Sequence, residues 1–222
     1  MRIVWLTGDY TGKNRERQQQ AAKEKCDIVI EFHFNASANP DASGTEVWHR
    51  QFSLPSFRLA KSLHDRIVSL GFKPRGVKSA VPTSRASFIN SYPRTSIVVL
   101  LEPCFVTNRL DAQKLHQDGF MAQLAEAIAS AVKDFIAKEN RKVQVIGLSI
   151  GHKGKTSNKS DRGARCLFGD FEADHASELA KLVAERLQPQ KPDVAFLANS
   201  LRKEVSGEWH EGNAPRKGRA LN

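Results

Sequence analysis

Two histidines far apart in the sequence stand at the polar ends of apolar runs. His33 closes the run in CDIVIEFHF, and His152 closes the run in VQVIGLSIGH. A strand that ends on an imidazole can direct the ring into a cleft beside its neighbours, and a catalytic zinc site needs that geometry. Such sites take three protein ligands, and Glu172, just ahead of a predicted helix, is the natural third one. The pattern predicts a metal hydrolase.

A carboxylate also closes an apolar run. Glu102 directly follows five apolar residues in SIVVLLEP. The carboxyl end of a buried parallel strand is where open α/β sheets place their ligands, and a carboxylate beside zinc can take a proton from water. We therefore interpret Glu102 as a catalytic carboxylate rather than a capped or paired surface residue.

Two further motifs carry weaker signals. GLSIG, residues 147–151, matches the nucleophile elbow that exposes a serine, here Ser149, but the sequence after it is polar and shows no helical period. A serine hydrolase remains an alternative. GKT at 154–156 follows an apolar run as in a phosphate loop, but the glycine required five residues before Gly154 is replaced by Ser149. Nucleotide binding is disfavoured.

The elements that must position these residues follow from hydrophobic periodicity. Apolar runs at 3–6, 28–34, 96–101 and 143–150 alternate with helical patterns, the clearest of which begins near Pro55. This rhythm predicts an α/β fold with a mainly parallel, twisted sheet and helices on both faces. The length of 222 residues, of which 40% are apolar, suits a single domain. The segment from Asn14 to Lys25 is helix-forming but mostly polar, so we expect it on the surface with Ala21 and Ala22 facing inward.

Composition narrows the partners and the compartment. The 34 Lys and Arg residues exceed the 24 Asp and Glu residues, and the net charge of +10 favours a polyanionic partner. Nucleic acid is disfavoured because aromatic residues do not alternate with the basic runs. The three cysteines are isolated, which indicates neither disulfides nor a thiolate metal site. Without a signal peptide or a membrane-spanning run, we expect cytoplasmic synthesis and no transmembrane segment.

Four segments together resemble a known family. CDIVIEFHFNAS, SGTEVW, RGVK and VVLLEPCFVTNRLDAQKL are similar, in order and spacing, to the zinc-dependent N-acetylmuramoyl-L-alanine amidases. Those enzymes show a strand ending in His-x-Asn, a Gly-Thr-Glu turn, an Arg-Gly loop and a last strand ending in glutamate. Their opening block, a strand ending in Gly-His followed by the ligand glutamate and a helix, comes last here.

The chain therefore resembles a circular permutant of the amidase fold. Residues 1–137 would form the usual C-terminal part, residues 143–204 the usual N-terminal part, and residues 205–222 a tail. Either run 3–6 or run 194–197 would supply the usual second strand. Permutation is physically reasonable because domain termini tend to lie close together at the surface.

The resemblance implies a role for individual residues. His33, His152 and Glu172 would hold Zn²⁺, and Glu102 would be catalytic. Asn35 and Arg75 would line the substrate groove, whereas Glu46 looks more structural than catalytic.

Two departures from the family pattern affect this assignment. The spacing from His152 to Glu172 is longer than usual, so Asp170, Asp174 and His175 remain alternatives to Glu172 as the ligand. Glu31 stands on the same face as His33, where the family has a small residue, and would orient the site or form a salt bridge.

The implied activity is hydrolysis of the amide between N-acetylmuramic acid and the L-alanine of the stem peptide in peptidoglycan. Without a wall-binding domain or a signal peptide, the chain resembles a phage lysis enzyme (endolysin), stored in the cytoplasm until it is released to the cell wall. We expect a monomer. A catalytically inactive wall-binding protein of the same fold is the alternative from another class.

Overall fold

The computed structural model describes residues 1–6, 14–152 and 162–188. Its six strands are β1 (Arg2–Trp5), β2 (Ile28–Phe32), β3 (Thr45–His49), β4 (Pro74–Ser79), β5 (Ile97–Glu102) and β6 (Val145–Ile150). Its helices are α1 (Asn14–Lys23), α2 (Leu54–Val68), α3 (Arg109–Leu115), α4 (Phe120–Lys138) and α5 (Glu172–Leu187), with a 3-10 helix at Arg85–Ser91. The GKT motif, run 194–197 and the predicted tail lie outside the described residues.

The six strands form one sheet in the order β1-β6-β2-β5-β3-β4. Every neighbouring pair is parallel except β3 and β5, which are antiparallel. The predicted α/β fold with a mainly parallel sheet is confirmed. Because β3 and β4 run opposite to the other four strands, their amino-terminal ends lie at the edge where β2, β5 and β6 end.

Both faces of the sheet are covered, as predicted. Alternate residues of β2 (Ile28, Ile30 and Phe32) contribute to the larger core, under α2, α4 and α5, while Val29 contributes to a second core that includes residues of α1 and the 3-10 helix. Side chains on both faces of a central parallel strand are shielded from water, which explains its continuous apolar sequence.

Helix α2 shows how the sequence sets an element's limits. The Ser53 hydroxyl caps the helix by accepting a hydrogen bond from the backbone N–H of Ser56, and Pro55 occupies the first turn. Proline suits this position because a helix does not use the N–H groups of its first turn. The helix ends at Val68, ahead of Gly71, whose φ of +92° suits glycine.

Of the two alanines predicted to face inward from the first helix, Ala21 is buried and Ala22 is exposed, and one charged residue is buried as well. Arg17 of α1 is buried, with 3% of its surface exposed, and its guanidinium lies 3.6 Å from a carboxylate oxygen of Glu31. A buried charge needs an opposite charge nearby, so α1 packs against the sheet through an ion pair as well as through apolar contacts.

Candidate metal centre and active-site cleft

The structure brings together His33, His152 and Glu172, whose donor atoms all lie within 4.8 Å of one another. Nδ1 of His33 is 3.1 Å from Oε1 of Glu172, and Nε2 of His152 is 3.4 Å from Oε2. Ligands about 2.1 Å from a tetrahedral zinc ion are themselves about 3.4 Å apart. Both the donor types and their separations therefore fit a zinc ion. We call these three residues the first group.

Adjacent parallel strands place the two imidazoles. His33 directly follows β2, and His152 comes two residues after β6, which pairs with β2. Gly151 makes room for this approach, since a Cβ on it would lie 2.4 Å from the His33 ring. His152 itself has a φ of +58°, a conformation uncommon outside glycine and one that recurs at functional sites.

Glu172 is the first residue of α5, and neighbouring backbone fixes its carboxylate. Oε1 accepts a hydrogen bond of 3.3 Å from the N–H of Phe34, and Oε2 accepts one of 3.2 Å from the N–H of Ala164. Glycine is needed at position 163, where a Cβ would lie 2.6 Å from Oε2. The carboxylate is therefore held in place before any ligand binds.

In the absence of a metal, the surroundings of the first group favour a negative charge on Glu172 and a positive charge on His33. Burial alone would raise the pKa of Glu172, but the hydrogen bond and charge of His33 lower it. Burial would likewise lower the pKa of His33, but the Glu172 carboxylate outweighs it and the pKa is raised. Among the described residues, Nε2 of His33 is buried and has no hydrogen-bond partner.

Glu102 ends β5 at the same edge of the sheet. Burial raises its pKa to about 8, assisted by the charges of Glu172 and Glu46 and opposed by that of His33. Its Oε2 atom is buried and accepts no hydrogen bond from the described part of the chain. Such a carboxyl group is poised to exchange a proton near neutral pH.

Glu46 and Glu102 are register partners on β3 and β5. Glu46 is buried and pairs with Arg75 and, at 2.8 Å, with Nζ of Lys78. These contacts lower its pKa against the effect of burial. Glu46 is thus an ionised neighbour that disfavours a second negative charge on Glu102. The sequence analysis did not identify Lys78, because its contact with Glu46 depends on the pairing of β4 with β3.

A cleft of about 870 Å³ contains the first group and Glu102. The predicted substrate residues Asn35 and Arg75 both line it. The guanidinium of Arg75 stacks over the ring of Phe105, 4.8 Å from its centre, and pairs with Glu46. The cleft therefore offers a fixed cation and an amide side chain near the two histidines.

The three alternatives to Glu172 lie elsewhere. Asp174 pairs with Arg162 and caps the start of α5 by accepting a hydrogen bond from the N–H of Phe171. Asp170 and His175 meet His116 in a second group, whose donor atoms also lie within 4.8 Å of one another. Burial lowers the pKa of His175. The sequence analysis did not identify His116, which is 54 residues from Asp170.

Glu31 and Ser149 are fully buried register partners on β2 and β6. Glu31 accepts a hydrogen bond from the Tyr92 hydroxyl and forms the ion pair with Arg17. It does not belong to the first group, and of its two expected roles the salt bridge is the one observed. Ser149 lies inside a strand, whereas a nucleophile elbow requires an exposed turn.

Comparison with known proteins places this geometry in a family. The family described as N-acetylmuramoyl-L-alanine amidase matches residues 3–134. The chain belongs to the N-acetylmuramoyl-L-alanine amidase family. The match includes His33 and Glu102, whereas His152 and Glu172 lie beyond it.

Individual members of the amidase family are similar over about half of the chain. The N-acetylmuramoyl-L-alanine amidase LytC of Bacillus subtilis (strain 168) is 32% identical over 117 residues, which are 51% of this chain and 22% of that protein. An endolysin of Bacillus phage SPP1 is 29% identical over 54% of this chain and 44% of its own length. The chain thus matches less than half of either protein.

A solved amidase shares the fold. The crystal structure of the N-acetylmuramoyl-L-alanine amidase from Clostridium difficile 630 aligns with a TM-score of 0.51 and 25% identity, over 57% of this chain and 67% of that one. None of the helices in the described part of this chain is long and apolar enough to span a membrane.

Proposed function

We propose that this chain is a zinc-dependent peptidoglycan hydrolase that cleaves the amide between N-acetylmuramic acid and the L-alanine of the stem peptide. One observation carries the proposal: two imidazoles and a carboxylate converge beside Glu102 in a cleft, in a member of the amidase family. Three protein ligands leave a coordination position open, which suits a catalytic rather than a structural zinc site.

In this mechanism His33, His152 and Glu172 hold the ion. Zinc, when bound, supplies a Lewis acid that makes water acidic near neutral pH and polarises an amide carbonyl. Glu102 accepts the proton released by the attacking water and returns it to the leaving amine of L-alanine. Burial raises its pKa, which favours return of the proton to the amine, while the charge of bound zinc would favour the ionised form that accepts the proton first.

The rest of the cleft would orient the substrate. Arg75 presents a cation held by Glu46, and stem peptides carry carboxylates that a guanidinium binds well. Asn35 would bind the peptide or the glycan. Its side-chain oxygen accepts a hydrogen bond of 3.0 Å from the N–H of Ala36, which leaves its amide hydrogens to donate to a substrate carbonyl.

We also propose that the chain is a circular permutant, with residues 1–137 and 143–204 exchanged relative to the usual order and residues 205–222 as a tail. The position of β6 supports this, because the last strand in the described sequence pairs with both β1 and β2 and delivers His152 beside His33. Superposition on the structure of an amidase with the usual segment order tests this proposal. The strand that ends in Gly-His in that amidase should superpose on β6.

The activity can be tested on purified peptidoglycan. The zinc-loaded chain should release stem peptides and create new amino termini at alanine, detected by mass spectrometry. A chelator should stop the release, and zinc should restore it. New reducing sugars instead of new amino termini would contradict the proposal.

A variant separates an active enzyme from an inactive wall-binding protein. Glu102→Gln should still bind peptidoglycan and zinc but release no peptide. Glu126→Gln is the matched control, since this glutamate lies on the exposed side of α4, where its carboxylate pairs with Arg186. Peptidoglycan binding without cleavage by the zinc-loaded unmodified chain would favour the inactive alternative.

A role in phage lysis is a further part of this proposal, supported by the similarity to the SPP1 endolysin. Bacteria that produce the chain in the cytoplasm should stay intact until their membrane is permeabilised, and should then lyse. The Glu102→Gln variant should not lyse them. Lysis without permeabilisation would contradict storage in the cytoplasm.

A further inference from the structure

The second group, His116, Asp170 and His175, lies outside the cleft and has no part in the proposed reaction. His116 caps the end of α3, Asp170 precedes α5, and His175 is in the first turns of α5. One carboxylate oxygen, Oδ2 of Asp170, lies 3.0 Å from Nε2 of His116 and 2.9 Å from Nε2 of His175. Two imidazole nitrogens thus face the same oxygen.

The hydrogen bond at Nδ1 of His116 orients the other ring nitrogen, Nε2, as a metal ligand would be oriented. Its Nδ1 lies 2.8 Å from the carbonyl oxygen of Ala112, an acceptor, so Nδ1 carries the proton and donates it. Nε2 is then the ring atom that faces Asp170, 3.0 Å from its Oδ2 atom, and it is the atom that would bind a metal ion. A histidine whose Nδ1–H binds a backbone carbonyl is typical of metal ligands, because that hydrogen bond fixes the tautomer and the ring.

Two buried atoms support the same conclusion. The His175 side chain is 8% exposed, and its Nε2 has no hydrogen-bond partner within the described ranges, since its approach to Asp170 lacks hydrogen-bond geometry. Oδ1 of Asp170 is likewise buried and has no nitrogen or oxygen partner in that part of the chain, although the Cys166 thiol interacts with this carboxylate. Buried polar atoms without partners are costly, and a cation bound by both would remove that cost.

We propose that His116, Asp170 and His175 form a second site for a divalent transition-metal ion of the zinc class. Two imidazoles and a carboxylate are a ligand set that zinc and its neighbours accept, and the exposed side of His116 leaves room for water as a further ligand. The ion would link the end of α3 to the start of α5, and so fasten the segment that carries Glu172.

The two sites are close but distinct. Phe34 contacts both, because its backbone N–H donates to Glu172 and its ring lies 5.7 Å from that of His175. A metal at the second site would therefore stabilise the surroundings of the first without entering the cleft. This inference does not depend on the proposed enzymatic activity.

Zinc stoichiometry of the full chain tests the second site. After removal of metal with a chelator, equilibrium dialysis against Zn²⁺ and elemental analysis should give two equivalents per chain. Asp170→Asn and His116→Gln should each lower this by one equivalent. The matched controls Asp118→Asn and His49→Gln remove an exposed carboxylate and a histidine outside both groups, and should bind as the unmodified chain does.

The reverse experiment separates the two sites. A double variant, His33→Gln with His152→Gln, should lose the first equivalent and retain the second, which Asp170→Asn should then remove. One equivalent in the unmodified chain, unaffected by His116→Gln and Asp170→Asn, would overturn the second site and show a hydrogen-bonded histidine cluster only. His116 is one-third exposed, so its variant should fold, as circular dichroism would verify.

Discussion

The two groups contain the same side chains, two histidines and one carboxylate, yet differ in what surrounds them. The first group lies at the carboxyl ends of β2 and β6, in a cleft with Glu102 beside it. The second lies at the ends of two helices, and in the described part of the chain none of its residues lines that cleft or lies beside Glu102. The comparison teaches that the ligand set decides whether a metal can bind, whereas a cleft and a base decide whether it can catalyse.

The supporting backbone differs as well. Strand ends in the middle of a sheet are fixed by hydrogen bonds on both sides, so the imidazoles of the first group are held by the core itself. The second group joins His116 at the end of α3 to Asp170 and His175 at the start of α5. Metal at the first group should therefore matter most for activity, and metal at the second group for stability.

The largest expected effect comes from removing a proposed metal ligand of the first group. His152→Ala should lower zinc content by one equivalent and peptide release by roughly 10³-fold or more, because the ion's Lewis acidity contributes several kcal/mol to catalysis. Elemental analysis and a peptidoglycan release assay measure both. His49→Ala is the control. If activity fell while zinc content stayed constant, His152 would contact the substrate and not the metal.

Glu102→Gln should come next and separate catalysis from binding. The amide keeps the shape of the side chain but cannot shuttle a proton, so the rate should fall by about 10²–10⁴-fold. Zinc content and melting temperature should not fall. Activity like that of the unmodified chain would remove Glu102 from the mechanism.

Glu102 should also make the metal-free protein's stability depend on pH. Its pKa is raised from 4.5 to about 8 in the folded state, so the folded chain binds more protons than the unfolded chain between those values. The stabilising contribution is fully present below about pH 4 and is lost as the pH rises through about 8, and a shift of this size corresponds to at most about 5 kcal/mol.

Denaturant unfolding of chelator-treated protein at several pH values would measure this slope. Glu102→Gln should flatten it, and so should zinc, since a nearby cation keeps the carboxylate ionised. An identical slope in Glu102→Gln and in the unmodified protein would show that other groups cause it.

At the second group, His116→Gln should have a smaller effect of a different kind. Zinc that binds only the folded state should raise the melting temperature of the unmodified chain, and this variant should lose part of that increase. Peptide release should change less than about twofold, since surface substitutions away from the site usually cost little. A fall in activity as large as that of His152→Ala would show that the two groups are functionally one site.

The smallest effect is expected for Ser149→Ala. This residue belongs to β6, the strand that places His152 beside His33, but its side chain is buried. Activity should be nearly unchanged, whereas loss of activity with intact folding and zinc content would revive the serine-hydrolase alternative. It is also a control for general damage to β6.

The sequence by itself predicted the sheet, its mainly parallel character and the residues at its strand ends. An apolar run of strand length predicts a strand that is buried on both faces. In a parallel sheet, the residues that follow such runs lie at the same edge. This is why His33, His152 and Glu102 could be named in advance. Glu172 was less certain because its position depends on a long connection, not on a strand.

The tertiary structure alone decided which carboxylates join which histidines. Asp170, Glu172, Asp174 and His175 are nearly adjacent in sequence, yet only Glu172 reaches the first group, while Asp170 and His175 meet His116. Likewise, Arg17 in a polar helix is buried against Glu31, and Lys78 of β4 reaches Glu46 on the adjacent parallel strand β3. Periodicity reports which residues are buried, but contacts between distant segments follow from packing, which a local pattern does not contain.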